Sequence, residues 1–227
     1  MKPYTHFLTP NGKGSVVEEG PWSYGADYVA VYFRAEKASL AKLIPESLEV
    51  IDGTASAYLA RIVGVSEKNP DAYYLDPAQT VYHEAGIAVA CKYEDEKGFF
   101  CPCMWVDNDT SLIRGWINGH SKKLADRIMT SWLHPLNLII GAPRPGMKIG
   151  GFCTRQGERL LTLQMQLERQ GSSNDLANFG PPFAHRHFPQ THESQTGVSE
   201  IVELIRYNAR IENVWVGRNR KARYCAK

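Results

Sequence analysis

The sequence lacks long hydrophobic runs and an excess of charge of either sign. No stretch of the 227 residues approaches the roughly 18 consecutive apolar residues that a membrane helix needs. The first residues, MKPYTHFLTPNGKG, contain no apolar segment of the signal-peptide kind. The 26 basic and 24 acidic residues leave a net charge of only +2. These absences favour a cytoplasmic protein with no membrane partner, and they disfavour a general nucleic-acid binder.

Cysteine is also scarce, and the sequence contains none of the common nucleotide or hydrolase motifs. Five cysteines, an odd number, stand without the regular spacing of a disulfide framework, so we expect reduced and mostly buried thiols. There is no glycine-rich phosphate loop after a strand, no G-x-S-x-G and no H-E-x-x-H. The sequence therefore predicts no cofactor.

Apolar and aromatic residues are plentiful enough for one folded domain over residues 1–227. Hydrophobic residues make up 43% of the chain and aromatic residues 11%. Many segments alternate apolar and polar residues and are rich in β-branched and aromatic side chains, a pattern typical of strands. We predict strands at 28–35, 48–51, 55–65, 81–93, 99–106, 147–155, 159–168, 183–188, 200–207 and 209–216.

The remaining segments predict short helices, loops and an extended N-terminal arm. A helix is expected at 39–44, where Pro45 ends it, and another at 111–118, with N-cap candidates at 107–110 and Gly119 at its C-terminal end. Residues 1–20 predict the arm, and 66–80 and 170–182 predict loops. The fold class is mainly β (α+β) and mostly antiparallel. Barrel-like closure is expected because so many strands would otherwise leave exposed edges.

The pair Lys122-Lys123 is the first candidate site. Lysine pairs usually lie on solvated surfaces, but this pair follows a capped helix and a glycine turn and precedes an apolar segment. A lysine held there would be desolvated, and both burial and a neighbouring ammonium favour the uncharged amine. An uncharged amine is a nucleophile toward ketones.

Glu84 is the second candidate. Strand alternation places Tyr82, Glu84 and Gly86 on one face. A carboxylate facing an interior needs a partner and suggests a functional role. The alternative is that this face is exposed to solvent.

Two further features have mainly structural explanations. His185 and His187 share one strand face and suggest either a metal site or a polar or pocket-lining surface; no supporting ligand spacing favours the metal, so no metal site is predicted. The basic tail at 218–223 suggests nucleic acid, but short basic tails are usually solvated charge. No nucleic-acid partner is predicted.

Several motifs together resemble the acetoacetate decarboxylase family. The segment MWVDND at 104–109, the following helix with Arg114-Gly115, and SKKLA at 121–125 are similar to the M-Y-L-D-N, G-R and P-K-K-L motifs of that family. The strand containing Tyr82-His83-Glu84 is similar to its Y-x-E strand. Matches extend from about residue 21 to 217.

This resemblance implies an antiparallel β-cone or barrel with an internal pocket, often assembled as a homo-oligomer. It implies that Lys122 forms a Schiff base with a keto acid, that Lys123 is its positive neighbour, and that Glu84 handles protons or orients the substrate. The residues expected to bind substrate are Tyr82, Arg61, Trp105 and His185.

The sequence departs from the family pattern at three places. Ser121 replaces the proline before the lysine pair, residues 25–27 supply no arginine for the substrate carboxylate, and 58–61 supply no second glutamate. Arg61 is a candidate for the missing cation. We therefore expect a Schiff-base lyase that decarboxylates a small β-keto acid. The alternatives are an aldolase, dehydratase or hydratase acting on pyruvate-like keto acids, and a non-catalytic barrel that binds small molecules.

Overall fold

The computed structural model of the chain describes residues 17–131, 133–177, 179–194 and 196–224. The strands there are β1 (Trp22–Arg34), β2 (Glu49–Ser66), β3 (Val81–Tyr93), β4 (Glu96–Val106), β5 (Lys122–Leu124), β6 (Arg127–Thr130), β7 (Lys148–Arg155), β8 (Glu158–Gln170), β9 (Pro182–Phe188), β10 (Val198–Glu203) and β11 (Trp215–Tyr224). The helices are α1 (Lys37–Ala41), α2 (Ala72–Leu75), α3 (Pro77–Thr80), α4 (Asp109–Ile117) and a 3₁₀ turn at Ser173–Asp175. Within these ranges, every helix is too short or too polar to cross a membrane.

The described strands form two sheets. The larger has the order β1-β2-β3-β4-β9-β10, and the smaller has the order β11-β8-β7-β6. Strand β5 shares one edge of β4 with β9: β9 pairs in parallel near Phe99, and β5 pairs in parallel beside Met104. The other pairings are antiparallel. The predicted mainly β fold with few short helices is confirmed, whereas barrel closure is not, because the strands separate into two sheets.

One hydrophobic core lies between the two sheets. The larger sheet contributes alternate residues such as Val29, Leu59 and Trp105, and the smaller sheet contributes Leu161 and Leu163. Because successive strand residues point to opposite faces, the residues between these positions face away from the smaller sheet. That outer face of the larger sheet packs against α4 and carries the site described below.

Local predictions differ from the structure mainly where the chain is exposed. Strand β1 begins at Trp22, earlier than expected, and the loop predicted at 66–80 contains α2 and α3. The strand predicted at 209–216 is wrong over most of its length, because Asn208 and Asn213 adopt positive φ and β11 begins at Trp215. Most of the predicted arm lies outside the described residues.

Four of the cysteines are described, and they are free thiols. Cys91, Cys101 and Cys153 are buried and Cys103 is partly buried, as expected from their irregular spacing. Burial raises the pKa of each of the three buried thiols to about 12. Cys225 lies outside the described residues.

Candidate functional site

A β4–α4–β5 unit brings Lys122 close to Glu84. Strand β4 lies between β3 and β5, with Glu84 opposite Val106 on one side and Lys122 opposite Met104 on the other. Helix α4 connects β4 to β5 and covers the face to which both side chains point. Lys122 is 6% exposed and Glu84 is 7% exposed. The alternative in which Glu84 faces solvent is therefore wrong.

Lys122 and Glu84 form a buried ion pair. The Nζ of Lys122 lies 2.8 Å from Oε2 of Glu84 and donates a hydrogen bond to Oγ of Ser111 at 3.1 Å. The hydroxyl of Tyr58 donates to Oε1 of Glu84 at 2.8 Å. Both carboxylate oxygens and the ammonium thus have partners, as buried charges require.

The protonation state of Glu84 follows from its surroundings. Burial raises the pKa of Glu84, but the positive charge of Lys122 and the hydrogen bonds from Lys122 and Tyr58 together hold it below its usual value. Glu84 is therefore a carboxylate at neutral pH.

Two glycines provide the space for these side chains. A Cβ on Gly115 of α4 would overlap the Cγ, Cδ and Cε atoms of Lys122. A Cβ on Gly86 would come within 2.7 Å of the ring of Tyr58. The lysine therefore extends across the helix at a position where no larger residue fits.

Arg114 is a buried cation next to the pair, and the sequence analysis assigned it no role. Its guanidinium is stacked 4.3 Å from the ring of Trp22 and 5.3 Å from that of Tyr24, and its Nη2 donates to the hydroxyl of Tyr82 at 3.3 Å. In the part of the chain that the structure describes, no carboxylate pairs with Arg114. The sequence contained one signal for this position. Arg114 follows Ser111 by three residues on α4, and residues so spaced share a helix face.

His120 is a second group that the sequence analysis missed. Burial lowers its pKa to about 4, and the charge of Lys122 acts in the same direction. Its imidazole is therefore neutral at physiological pH. Its main-chain carbonyl accepts a hydrogen bond from the backbone N–H of Lys122 at 2.8 Å, and Ser121 alone separates it from β5.

Three of the predicted site residues do not meet Lys122. Lys123 is exposed, because it is the next residue along β5 and points to the opposite face. Arg61 forms an ion pair with Asp27 at 2.7 Å. It follows Ala60, which lies on the site face of β2, so Arg61 lies on the opposite face. Trp105 lies in the core between the sheets. The structure thus places the side chains of Lys123, Arg61 and Trp105 away from the Lys122–Glu84 pair, and their expected roles stay predictions.

The other two predicted substrate contacts have different positions. The ring centroid of Tyr82 lies 5.6 Å from Nζ of Lys122, so Tyr82 belongs to the site. His185 pairs through Nε2 with Oγ of Ser199 at 3.0 Å, and its backbone N–H donates to the carbonyl of Gly119 at 3.1 Å. Burial and the nearby His187 both lower the pKa of His185. In the described ranges, no three His, Cys, Asp or Glu side chains gather in a metal-binding group.

The fold and the site define a two-sheet, mainly β protein with a lysine–carboxylate pair buried beneath a short helix. The chain belongs to the acetoacetate decarboxylase family, whose model matches residues 5–221. No curated protein sequence matches the chain significantly.

Solved structures share this fold. An acetoacetate decarboxylase-like enzyme from Sphingomonas wittichii RW1 is 39% identical, with a TM-score of 0.91 over 97% of this chain and 85% of its own. The enduracididine biosynthesis enzyme MppR, complexed with the condensation product of pyruvate and imidazole 4-carboxaldehyde, is 22% identical, with a TM-score of 0.87 over 99% and 84%. An acetoacetate decarboxylase from Legionella pneumophila is 14% identical, with a TM-score of 0.71 over 92% and 76%. The last two likenesses concern the fold alone.

Proposed function

We propose that the protein is a Schiff-base-forming lyase acting on a small keto acid, with Lys122 as the nucleophile. The observation that carries this proposal is the 2.8 Å contact between the buried Lys122 and Glu84, beside a buried arginine that no described carboxylate neutralises. Imine chemistry needs a lysine nucleophile, a base that accepts its proton and a cation that binds the substrate's carboxylate. Lys122, Glu84 and Arg114 are residues of these three types.

Imine formation begins with a proton transfer inside the pair. Glu84 takes a proton from the ammonium of Lys122, and the free amine adds to the ketone carbon to give a carbinolamine. Glu84 then returns a proton to the hydroxyl group, which leaves as water. The products are a protonated imine on Lys122 and a carboxylate on Glu84, so protons and charge balance.

Arg114 is the group that holds the substrate's carboxylate in this proposal. A planar guanidinium forms paired hydrogen bonds with a carboxylate, and such charge-assisted bonds are strong in a buried site. Its present contacts are aromatic faces and one hydroxyl, which leaves donors for an anion. In this proposal Arg114, and not Arg61, is the cation that binds the substrate's carboxylate.

With a β-keto acid, the protonated imine promotes decarboxylation. The bond to the carboxylate breaks, its electron pair moves toward the nitrogen, and carbon dioxide leaves behind an enamine. A proton taken up from solvent and delivered by Glu84, or by a water molecule held by it, then protonates the enamine carbon and restores the protonated imine. Water then releases the ketone product and regenerates Lys122.

Aldol condensation is a second candidate, and the ionised state of Glu84 favours it. A pyruvate-type imine must lose a proton from the adjacent carbon to become an enamine, and a carboxylate in contact with the nitrogen is placed to remove it. Decarboxylation needs no such base before the bond breaks. The enamine then attacks an aldehyde. The complex of MppR with a condensation product of pyruvate supports this candidate by analogy of fold.

Borohydride reduction separates these functions. The protein is incubated with acetoacetate or pyruvate, reduced, and weighed intact by mass spectrometry, while carbon dioxide release and condensation with an added aldehyde are followed in parallel. We expect a covalent adduct that is lost in Lys122→Ala and retained in the exposed control Lys123→Ala. Reversible binding with no trapped adduct would instead establish the non-catalytic binding protein.

A further inference from the structure

A row of aromatic side chains continues from the Lys122 site across the outer face of the larger sheet. The ring of Tyr58, which contacts Glu84, lies 6.0 Å from that of Tyr28. Further along the same sheet face, Phe179 lies 5.8 Å from Tyr32 and 6.0 Å from Phe99. The row therefore begins one side chain away from the reacting pair.

Part of this aromatic row is accessible to a ligand. Tyr28 is 60% exposed, yet burial by surrounding protein and the charge of Glu84 both raise its pKa. Aromatic walls with few polar groups are typical of small-molecule sites.

Arg206 lies at the far end of the row. Its guanidinium is 5.6 Å from the ring centroid of Phe99. Its positive charge opposes the rise in the pKa of Tyr28 and contributes to the lowered pKa of His120. Among the described residues, no carboxylate forms an ion pair with it.

We propose that Tyr28, Phe99 and Arg206 form a second subsite that binds an aromatic, anion-bearing part of the substrate. The planar part stacks on the exposed rings, and its anion pairs with the guanidinium of Arg206. Arg114 holds the carboxylate next to the reacting ketone, whereas Arg206 selects the group at the other end. This inference rests on the proposed role of Lys122 for its reacting half, but the subsite is testable by itself.

The test compares two probes that differ only in the distal anion, phenylpyruvate and 4-carboxyphenylpyruvate. The half-saturating concentration for borohydride trapping is measured for each. In the wild type we expect the carboxylated probe to be favoured by about tenfold, the scale of one charge-assisted contact. Arg206→Gln should bring this ratio to about one. Arg210→Gln, which removes the same charge from the same exposed segment, should keep the ratio.

The corresponding 2-hydroxy acids, which cannot form an imine, extend the test to binding alone by calorimetry. A tenfold preference that Arg206→Gln removes supports the subsite, even if no probe is trapped and the Schiff-base proposal fails. Equal affinity for the two hydroxy acids, or a preference that survives in Arg206→Gln, would overturn the subsite while leaving a trapped adduct on Lys122 unaffected.

Discussion

At the scale of single residues, the chemistry of Lys122 depends on the side chains that contact it. Oε2 of Glu84 contacts its Nζ, Ser111 accepts one of its hydrogen bonds, and Tyr58 donates a hydrogen bond to the other oxygen of Glu84. Lys123 points away from this group. Removing the negative charge of Glu84 is therefore expected to alter the reactivity of Lys122 more than removing the positive charge of Lys123.

Tyr58→Phe tests the role of the hydrogen bond to Glu84. The bond stabilises the carboxylate, so its loss raises the pKa of Glu84. Because Glu84 must be ionised to accept the proton of Lys122, activity falls as pH drops through its pKa. We expect the acidic limb of the kcat/KM profile to move upward by about one pH unit. The control Tyr93→Phe, in a ring packed on Phe183, should leave the limb in place; an unmoved limb in Tyr58→Phe contradicts this role.

Lys122→Met tests the energetics of the buried pair. It leaves Glu84 buried without a counter-charge, which costs about 3–5 kcal/mol of unfolding free energy at neutral pH. In the wild type, Glu84 has a lowered pKa, so its stabilisation is present above its unfolded-state pKa and is lost as pH falls through its folded-state pKa. In Lys122→Met, acidification should instead relieve the penalty, because Glu84 becomes neutral.

Urea unfolding at neutral and acidic pH provides the measurement. The double variant Lys122→Met/Glu84→Gln should recover most of the lost stability, since no unpaired charge remains. A double variant as unstable as Lys122→Met would show that packing, and not charge, accounts for the loss.

Single residues were predicted correctly from the sequence where the alternation of side chains along a strand determines which face they occupy. Tyr82 and Glu84 share the site face, as their spacing in one strand requires. The sequence did not reveal that Lys122 contacts Glu84, since the two residues are far apart in the chain. Arg114 was missed because an arginine in an amphipathic helix usually faces solvent.

At the scale of elements, the β4–α4–β5 unit determines where Lys122 lies. The Oδ1 of Asn108 accepts a hydrogen bond from the backbone N–H of Ser111 at 2.8 Å and fixes the start of α4. Gly119, at φ +88, follows its end. The sequence narrowed the N-cap to residues 107–110, which include Asn108, and it placed the C-cap at Gly119, one residue beyond the observed C-cap Asn118. It did not predict the parallel pairing of β5 with β4, because a three-residue strand carries too little periodicity to be recognised.

Gly115→Ala tests the packing of this unit. Alanine is about 1 kcal/mol better than glycine inside a helix, but its Cβ would overlap the Lys122 side chain. We therefore expect the rate of borohydride trapping to fall at least tenfold, although helix propensity alone would favour the alanine variant. A matched control is Gly25→Ala, whose Cβ meets Val63 at 3.3 Å. A normal trapping rate in Gly115→Ala would show that the reactivity of Lys122 does not depend on the space beside Gly115.

At the scale of the whole molecule, the core between the sheets supports the site from behind. Leu163 is fully buried there, and Leu138 is fully exposed. Leu163→Ala should lower the unfolding free energy by about 2–5 kcal/mol through lost burial and a cavity. Leu138→Ala should change it by less than about 0.5 kcal/mol. Denaturant titrations compare the two, and equal effects would contradict a core at this interface.

The sequence predicted the strand content of the molecule but not the arrangement of its sheets. Alternation in segments such as 158–170 identifies one buried face, yet it does not say which other strand covers that face. The two sheets pack face to face around Leu59 and Leu163. The alternation of apolar and polar residues is compatible both with two packed sheets and with a closed barrel, so it does not distinguish between them. The homo-oligomer stays a prediction, which light scattering can test.

The central claim is that Lys122 forms the covalent bond to substrate. The most direct measurement is reduction with borohydride in the presence of pyruvate or acetoacetate, followed by digestion and mass spectrometry of the peptides. The account predicts the added mass on Lys122 in the wild type and in Lys123→Ala, and no added mass at this position in Lys122→Met. A label on Lys123 or on another lysine, with Lys122 unmodified, would contradict it.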